Sequence, residues 1–335
     1  MKVSVIVPCY NEERYIASCL ESIVEGLAGV NYSYEILVVD GGSSDLTVAE
    51  IRRVATGHPI ANIRVIDNLH RFQVHGLNLG IAEAAGEFIV RCDAHSVYPR
   101  GYVDRLVQLL GGSDERTGNV GTPHINRPGG DGAMARSIAH AMTSRIAVGI
   151  SHRTIASDEA IEVDTLLFGA WRRSVLEKVG TFDSDFVRGQ DLEHNLRLKG
   201  CGYKVVLHPG EPFVLFARPT LSKLAQMVRQ YAAAKMEIAA RTVGYQVRRS
   251  LIPAFFFIVM LLLLLTPAFW VLPAIYGLCI ALFSTVSALK NKDLGMLALV
   301  VVVPCMHVSH ALGTTSGWWS AHVMRRAPRQ WSGTR

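Results

Sequence analysis

The chain has 335 residues, a formal net charge of +6 and a composition that is 50% hydrophobic, enough for one large domain or two ordinary ones. The basic balance comes without any nucleic-acid recognition motif, which argues against that class of partner. Six Cys lie far apart with no C-x-x-C pair, which argues against a disulfide framework or a zinc site and for a reduced compartment.

The opening MKVSVIVP lacks the long apolar core and cleavage site of a secretory signal. It reads instead as a strand that begins at once. Val3 to Pro8 is short, apolar and rich in β-branched residues, as a strand buried on both faces of a parallel sheet is. Asn11 is expected to cap the next helix, with Glu12 and Glu13 in its first turn and Ile16, Leu20, Ile23 and Leu27 at helical spacing. Glu35 to Asp40 is a second strand, and Gly41 to Asp45 turns into a helix ending near Ala55. Ile63 to Ile66 is a third strand. A helix follows from about Val74 to Ala85, with Gly86 as its stop. Glu87 to Cys92 is a fourth strand and ends at Asp93. This alternation predicts an α/β fold with an open, mostly parallel, doubly wound sheet. In such sheets ligands sit beyond the carboxyl ends of the strands, where Asn11, Asp40 and Asp93 all fall.

Residues 111 to 162 are rich in Gly, His and Arg and read as loops and one helix covering the cleft. Thr165 to Phe168 reads as a strand, Arg172 to Val179 and Asp191 to Lys199 as helices, the second closed by Gly200, and Tyr203 to Leu207 as a late strand. Residues 216–250 contain an amphipathic stretch that reads either as an interfacial helix or as an ordinary surface helix. From Leu251 to Gly313 almost all charge disappears. Leu251 to Leu272 is long enough to cross a hydrocarbon core, Pro273 to Leu289 is shorter, and Leu294 to Leu312 is interrupted by His307, Ser309 and His310. Two to three membrane helices over 251–313 and a basic tail over 314–335 are expected. Arg241, Arg248 and Arg249 before the apolar region, and Arg325, Arg326, Arg329 and Arg335 after it, suggest cytoplasmic ends near anionic lipid.

Three segments carry candidate chemistry. Asp93 and His95 stand at alternate positions of an extended chain, so both point to one side and can hold a divalent cation. The mixed oxygen and nitrogen set suits manganese somewhat better than magnesium. A polar strand end with a solvated His is the other reading. Asp191 begins a helix whose amides favour its charged form, so it can act as a general base or simply as a helix cap; Glu193 is either a support for it or a surface carboxylate. Asp40-Gly41-Gly42-Ser43-Ser44-Asp45 can bind base and ribose or can merely start a helix. Neither a P-loop nor a G-x-G-x-x-G dinucleotide fingerprint is present. His208, after the late strand, can reach a metal or diphosphate or be structural.

Taken in order, these segments resemble the family 2 glycosyltransferases of GT-A fold. The likeness runs through Ser4 to Glu13, Ile36 to Asp45, Asn78 to Ala82, Val90 to His95 and Gln190-Asp191, over residues 1–215. Arg91-x-Asp93-Ala94-His95-x-x-Tyr98-Pro99, Phe182-Asp183, Gln190-Asp191-x-Glu193 and Arg229-Gln230-Tyr231 are similar to the succinoglycan-type exopolysaccharide glucosyltransferases within it. The resemblance implies a nucleotide-sugar pocket of Pro8, Tyr10, Glu12, Asp40, Gly42, Asp45, Asn78 and Asp93. It implies Mn2+ or Mg2+ on Asp93, with His95 where a second Asp usually stands. It further implies Asp191 as the base, and support from Glu193, Arg229 and His208. The implied activity is inverting transfer of a hexose, with UDP-glucose the expected donor, to a lipid-linked saccharide. The catalytic domain would lie on the cytoplasmic side of a multi-pass cell-membrane protein. The Q-x-x-R-W motif of processive synthases is absent, which implies one sugar per encounter. A polyprenyl-phosphate sugar synthase and a catalytically silent membrane scaffold are the alternatives.

Overall fold

The computed structural model describes residues 2–149, 159–242, 245 and 247–324. The chain forms two compact units. Among the described residues the first holds 2–125 and 159–215, and the second 126–149 and 216–324. The stretch 126–149, expected over the cleft, thus belongs to the same unit as the C-terminal helices.

The first unit is built on an eight-stranded sheet in the order β3-β2-β1-β4-β9-β6-β10-β8. Its strands are β1 (Lys2–Cys9), β2 (Ser33–Asp40), β3 (Ile63–Asp67), β4 (Phe88–Arg91), β6 (Thr117–Gly121), β8 (Ile161–Glu162), β9 (Gly169–Arg172) and β10 (Lys204–Leu207). β1, β2, β3 and β4 are mutually parallel, β9 runs antiparallel between β4 and β6, and β10 is parallel to β6. Apolar runs such as Val5, Ile6 and Val7 are almost fully buried because helices cover both faces. On one face α1 (Ile16–Gly26) and α4 (Tyr102–Gly111) pack over β1, β2 and β4 through Leu20, Ile23, Leu106 and Val38. On the other, α3 (Gln73–Glu83), α7 (Arg173–Val179) and α8 (Gln190–Gly200) pack through Leu77, Leu176, Leu198 and Trp171. α2 (Thr47–Gly57) follows β2, and β5 (Ser96–Val97) pairs with β11 (Phe213–Phe216).

Four local expectations are corrected. Asn11 does not cap α1, which starts only at Ile16; Asn11 is left-handed (φ 53°) and its Oδ1 accepts from Ser44 N at 2.8 Å instead. Gly86 does not close α3, which ends at Glu83. Its role is close approach, since a Cβ there would lie 2.5 Å from Ser4 N of β1. Residues 165–168 are not a strand: Phe168 has φ 63°, and the strand is Gly169–Arg172. The supposed loops after 111 include β6, whose sequence TGNVG is poor in β formers yet wholly buried; residues 150–158 lie outside the described residues.

After β7 (His124–Arg127), the second unit contains α5 (Ala133–Thr143) and α6 (Arg145–Val148). After residue 216 come α9 (Leu221–Arg241), α10 (Arg248–Leu263), α11 (Val271–Asn291) and α12 (Leu299–His322). α9 is capped by Thr220, whose side chain accepts from Lys223 N. The first expected span breaks at Leu263, short of Thr266-Pro267, as a residue before proline resists the α conformation. α11 is longer than expected at 21 residues, and a single apolar helical stretch continues from Leu294 to His322, past residue 314. These two segments are long and apolar enough to cross a membrane. His307 interrupts neither helix nor packing: its Nδ1 lies 3.0 Å from Tyr276 Oη and its Nε2 3.1 Å from the Ile146 carbonyl. Gly313 and Gly317 let α12 close on α9, where Cβ atoms would meet the Arg229 and Ala233 carbonyls at 2.3 and 2.4 Å. The tail from 325 lies outside the described residues.

Candidate active site

The carboxyl ends of β1, β2 and β4 meet at one edge of the sheet of the first unit. Two turns there are stitched together. Asn11 N donates to Ser43 Oγ at 2.8 Å, Glu12 N to Thr47 Oγ1 at 2.7 Å, and Glu13 N to Asp45 Oδ2 at 3.3 Å. Asp40, 4% exposed, accepts from Gly42 N, Ser43 N and Ser43 Oγ, so its carboxylate shapes its own turn around left-handed Gly42. Asp45 likewise accepts from Thr47 N and Thr47 Oγ1. Burial works to raise its pKa, but the hydrogen bonds from Thr47 and Glu13 outweigh that and hold it below the ordinary carboxylate value.

Beside these turns is a cleft open to solvent, lined by Pro8, Tyr10, Asn68, Arg71, Gln73 and Arg188 among others. Pro8 and Tyr10 were expected in a nucleotide pocket; Arg71, Gln73 and Arg188 were not singled out.

Asp93 follows β4 and is 4% exposed. Its Oδ1 accepts from Gln73 Nε2 at 2.8 Å, Arg91 Nη2 at 3.2 Å and Arg91 Nε at 3.4 Å. Arg91 Nη1 donates in turn to Asp191 Oδ1. Gln190 Nε2 donates to Gln73 Oε1 at 2.9 Å. Asp93, Gln73, Gln190, Asp191 and Arg91 therefore close a ring that ties the end of β4 to the first turns of α3 and α8. Asp191 lies one residue inside α8, behind the left-handed Gly189. Arg91, 2% exposed, is flanked by the rings of Phe168 at 5.0 Å and Phe182 at 5.9 Å. The alternation of β4 already places Arg91 and Asp93 on one side, a signal that could have found Arg91. No sequence signal brings Gln73 to Gln190.

His95 Nδ1 lies 3.6 Å from Glu12 Oε1, and both side chains are largely buried. Asn78 does not line the cleft: its carboxamide grips the Phe182 backbone, Nδ2 donating to O at 2.7 Å and Oδ1 accepting from N at 3.0 Å. Glu193 pairs with Arg197 at 2.8 Å, and Arg197 also donates to the Val179 and Thr181 carbonyls. His194, against Phe182 and Trp171, is kept neutral by burial and by the Arg197 charge, which lower its pKa to about 3. His208 follows β10, which lies three strands from β4, roughly 14 Å away at the usual strand spacing. Burial, then the nearby Arg105, lowers its pKa. Arg229 lies on α9 of the second unit.

An open α/β sheet binds its ligands beyond the carboxyl ends of the strands, where these acidic residues gather beside the cleft. The model of glycosyl transferase family 2 matches residues 4–180, more than half of the chain, and the chain belongs to that family. It is a glycosyltransferase. It is similar to a dolichyl N-acetyl-α-D-glucosaminyl phosphate 3-β-D-2,3-diacetamido-2,3-dideoxy-β-D-glucuronosyltransferase of Methanococcus voltae, 28% identical over 244 residues covering 70% of this chain and 72% of that one. It is also similar to the succinoglycan biosynthesis protein ExoA of Rhizobium meliloti, 30% identical over 232 residues covering 68% and 66%. The fold resembles that of a mannosyltransferase from Pyrobaculum calidifontis, solved with GDP-Man and Mn2+, with a TM-score of 0.56 at 22% identity over 93% of this chain and 86% of that one.

The fold implies a divalent cation. Among the described residues no three His, Cys, Asp or Glu side chains gather into a metal cage. A cation on the Asp93 carboxylate would share its shell with substrate phosphates and water, as magnesium and manganese do. Glu12 is the carboxylate nearest His95 Nδ1, at 3.6 Å, an ion-pair separation longer than a hydrogen bond.

Proposed function

We propose that the first unit binds a nucleotide sugar, a UDP-hexose, in the cleft beside Pro8 and Tyr10 and transfers the sugar with inversion to a lipid-linked acceptor. The observation that carries this reading is the joining of Asp93 and Asp191 through the Arg91 guanidinium; on this reading Asp93 faces the diphosphate and Asp191 is the base. Asp93 and His95 would hold Mn2+ or Mg2+, which when bound offsets the charge growing on the departing diphosphate. Asp191 takes the proton from an acceptor hydroxyl, whose oxygen attacks the anomeric carbon as the bond to the diphosphate oxygen breaks. Inversion of an α-linked donor gives a β-glycoside. Asp40, Gly42 and Asp45 keep the nucleotide-side turn in shape, and Asn78 and Glu193 hold the 179–182 turn beneath Arg91.

The acceptor and the location rest on the second unit and on the relatives. α11 and α12 expose large apolar side chains, Leu278 at 71% and Leu312 at 55%, as lipid-facing helices do. Two crossings return the chain to one side, so Arg241, Arg248 and Arg249 and the Arg-rich tail would all lie in the cytoplasm with the catalytic unit. A relative named as acting on a dolichyl-linked sugar supports a lipid-linked saccharide acceptor.

The test is nucleotide-sugar binding and transfer by the full chain in detergent, with and without Mn2+, across a donor panel. Acceptors would be a polyprenyl diphosphate-sugar and a polyprenyl phosphate. Mn2+-dependent binding of one UDP-sugar and transfer to the first acceptor is expected. Asp191→Asn should leave donor binding intact while transfer falls by about 10²–10⁴-fold. Transfer only to polyprenyl phosphate would make the protein a polyprenyl-phosphate sugar synthase. No binding to any donor by folded protein would leave a membrane scaffold.

A further inference from the structure

The ring at the end of β4 contains a permanent cation that no step above uses. Arg91 is almost fully buried and its planar fork reaches two carboxylates on separate elements, Asp93 beyond β4 and Asp191 in the first turn of α8. The rings of Phe168 and Phe182 fix the plane of the guanidinium from its flanks. Phe168 is itself held in a left-handed conformation, φ 63°, and the Phe182 backbone is gripped by Asn78. Such a group is pre-organised and cannot lose its charge.

We infer that Arg91 is a positioning residue that holds Asp191 in place for the acceptor and competes with the divalent cation for Asp93. The inference rests on the roles given to Asp93 and Asp191 above. Arg91 pairs with both carboxylates and offsets one of their two negative charges. Asp93 Oδ1 is already engaged by the Nε and Nη2 edge of the fork, so a cation arriving with the diphosphate meets a competing positive charge at that carboxylate. The Nη1 edge stays with Asp191. Arrival of the donor thereby leaves the base held from one side by a fixed partner, aimed at the place where the acceptor hydroxyl enters. Gln73 and Gln190 carry the same coupling around the other half of the ring. A nucleotide without its cation gains no such purchase on Asp93, so the device favours the complete cation-donor pair.

The experiment uses the full chain in detergent and two readouts, the Mn2+ concentration that half-saturates UDP-sugar binding and the rate of transfer. In Arg91→Gln the competitor is gone, so the half-saturating Mn2+ concentration is expected to fall about tenfold while turnover falls about 100-fold through misplacement of Asp191. Arg91→Lys restores the charge without the fork and should return the Mn2+ requirement toward wild type with only partial turnover. Loss of structure alone would raise the Mn2+ requirement, not lower it. Should Arg91→Gln fail to fold, Phe168→Leu loosens the guanidinium and should move both readouts the same way by less. A folded Arg91→Gln protein with an unchanged or higher Mn2+ requirement overturns the inference and leaves the proposed reaction standing. Mn2+-independent UDP-sugar binding by the wild type overturns both.

Discussion

Asn78 and Phe182 are locked backbone to side chain in both directions: one carboxamide donates to the Phe182 carbonyl at 2.7 Å and accepts from its amide at 3.0 Å. The grip fixes the turn that lays the Phe182 ring beside Arg91. Asn78→Ala leaves both backbone groups without this partner, at a cost of about 2 kcal/mol. Thermal melting should show the loss, and turnover should fall more than donor affinity. An equally stable Asn78→Ala protein would mean that the turn is held by other contacts.

Glu12 and His95 form a second pair, with Oε1 and Nδ1 3.6 Å apart, close enough for the Glu12 charge to act on the imidazole. Glu12→Gln keeps the shape and removes the charge. Mn2+ affinity, read from metal titrations of nucleotide binding, is expected to drop about tenfold. His95→Ala should lose at least as much. Equal Mn2+ affinity in wild type and His95→Ala would remove His95 from the ligand set.

Glu35 supplies a pH dependence remote from the cleft. Burial works to raise its pKa, but hydrogen bonds from Ser4 Oγ and Ala85 N and the charges of Lys2 and Arg64 outweigh it, and the folded value lies below the ordinary one. A depressed folded pKa contributes stability that is present above the unfolded value and is lost as pH falls through the folded one. Glu35→Gln should therefore be less stable than wild type near neutral pH. The gap should narrow as pH drops below about 4.3, the ordinary Glu value. Denaturant midpoints across pH 3 to 7 would show this, and a constant gap would contradict it.

Gly86 touches β1 so closely that a Cβ would sit 2.5 Å from Ser4 N and 2.8 Å from the Val3 carbonyl carbon. Neither backbone atom can move without disturbing the central strand. Gly86→Ala is expected to destabilise by about 3 kcal/mol, at the upper end for overpacking. The same change at Gly57, with nothing within 4 Å, should cost little.

The first four strands and α3, α7 and α8 were legible in the sequence because apolar runs and helical spacing report burial directly. So was the placement of Asp40, Asp93 and Asp191 just past strand ends or at a helix start. TGNVG becomes the buried strand β6 because β9 and β10 lie on either side of it, and a backbone already flanked needs no β-forming side chains. Residues 165–168 lose their strand to a left-handed Phe168, whose ring packs against Arg91 and Phe213.

By itself the sequence determined an α/β transferase frame, its acidic strand ends and an apolar C-terminal region, since each depends on residue type and on spacing along a few turns of chain. Only the tertiary structure decided which groups meet. Arg91 and Asp191 are 100 residues apart, and Gln73 and Gln190 are 117 apart. Such contacts arise from strand order and helix placement, which local patterning does not encode.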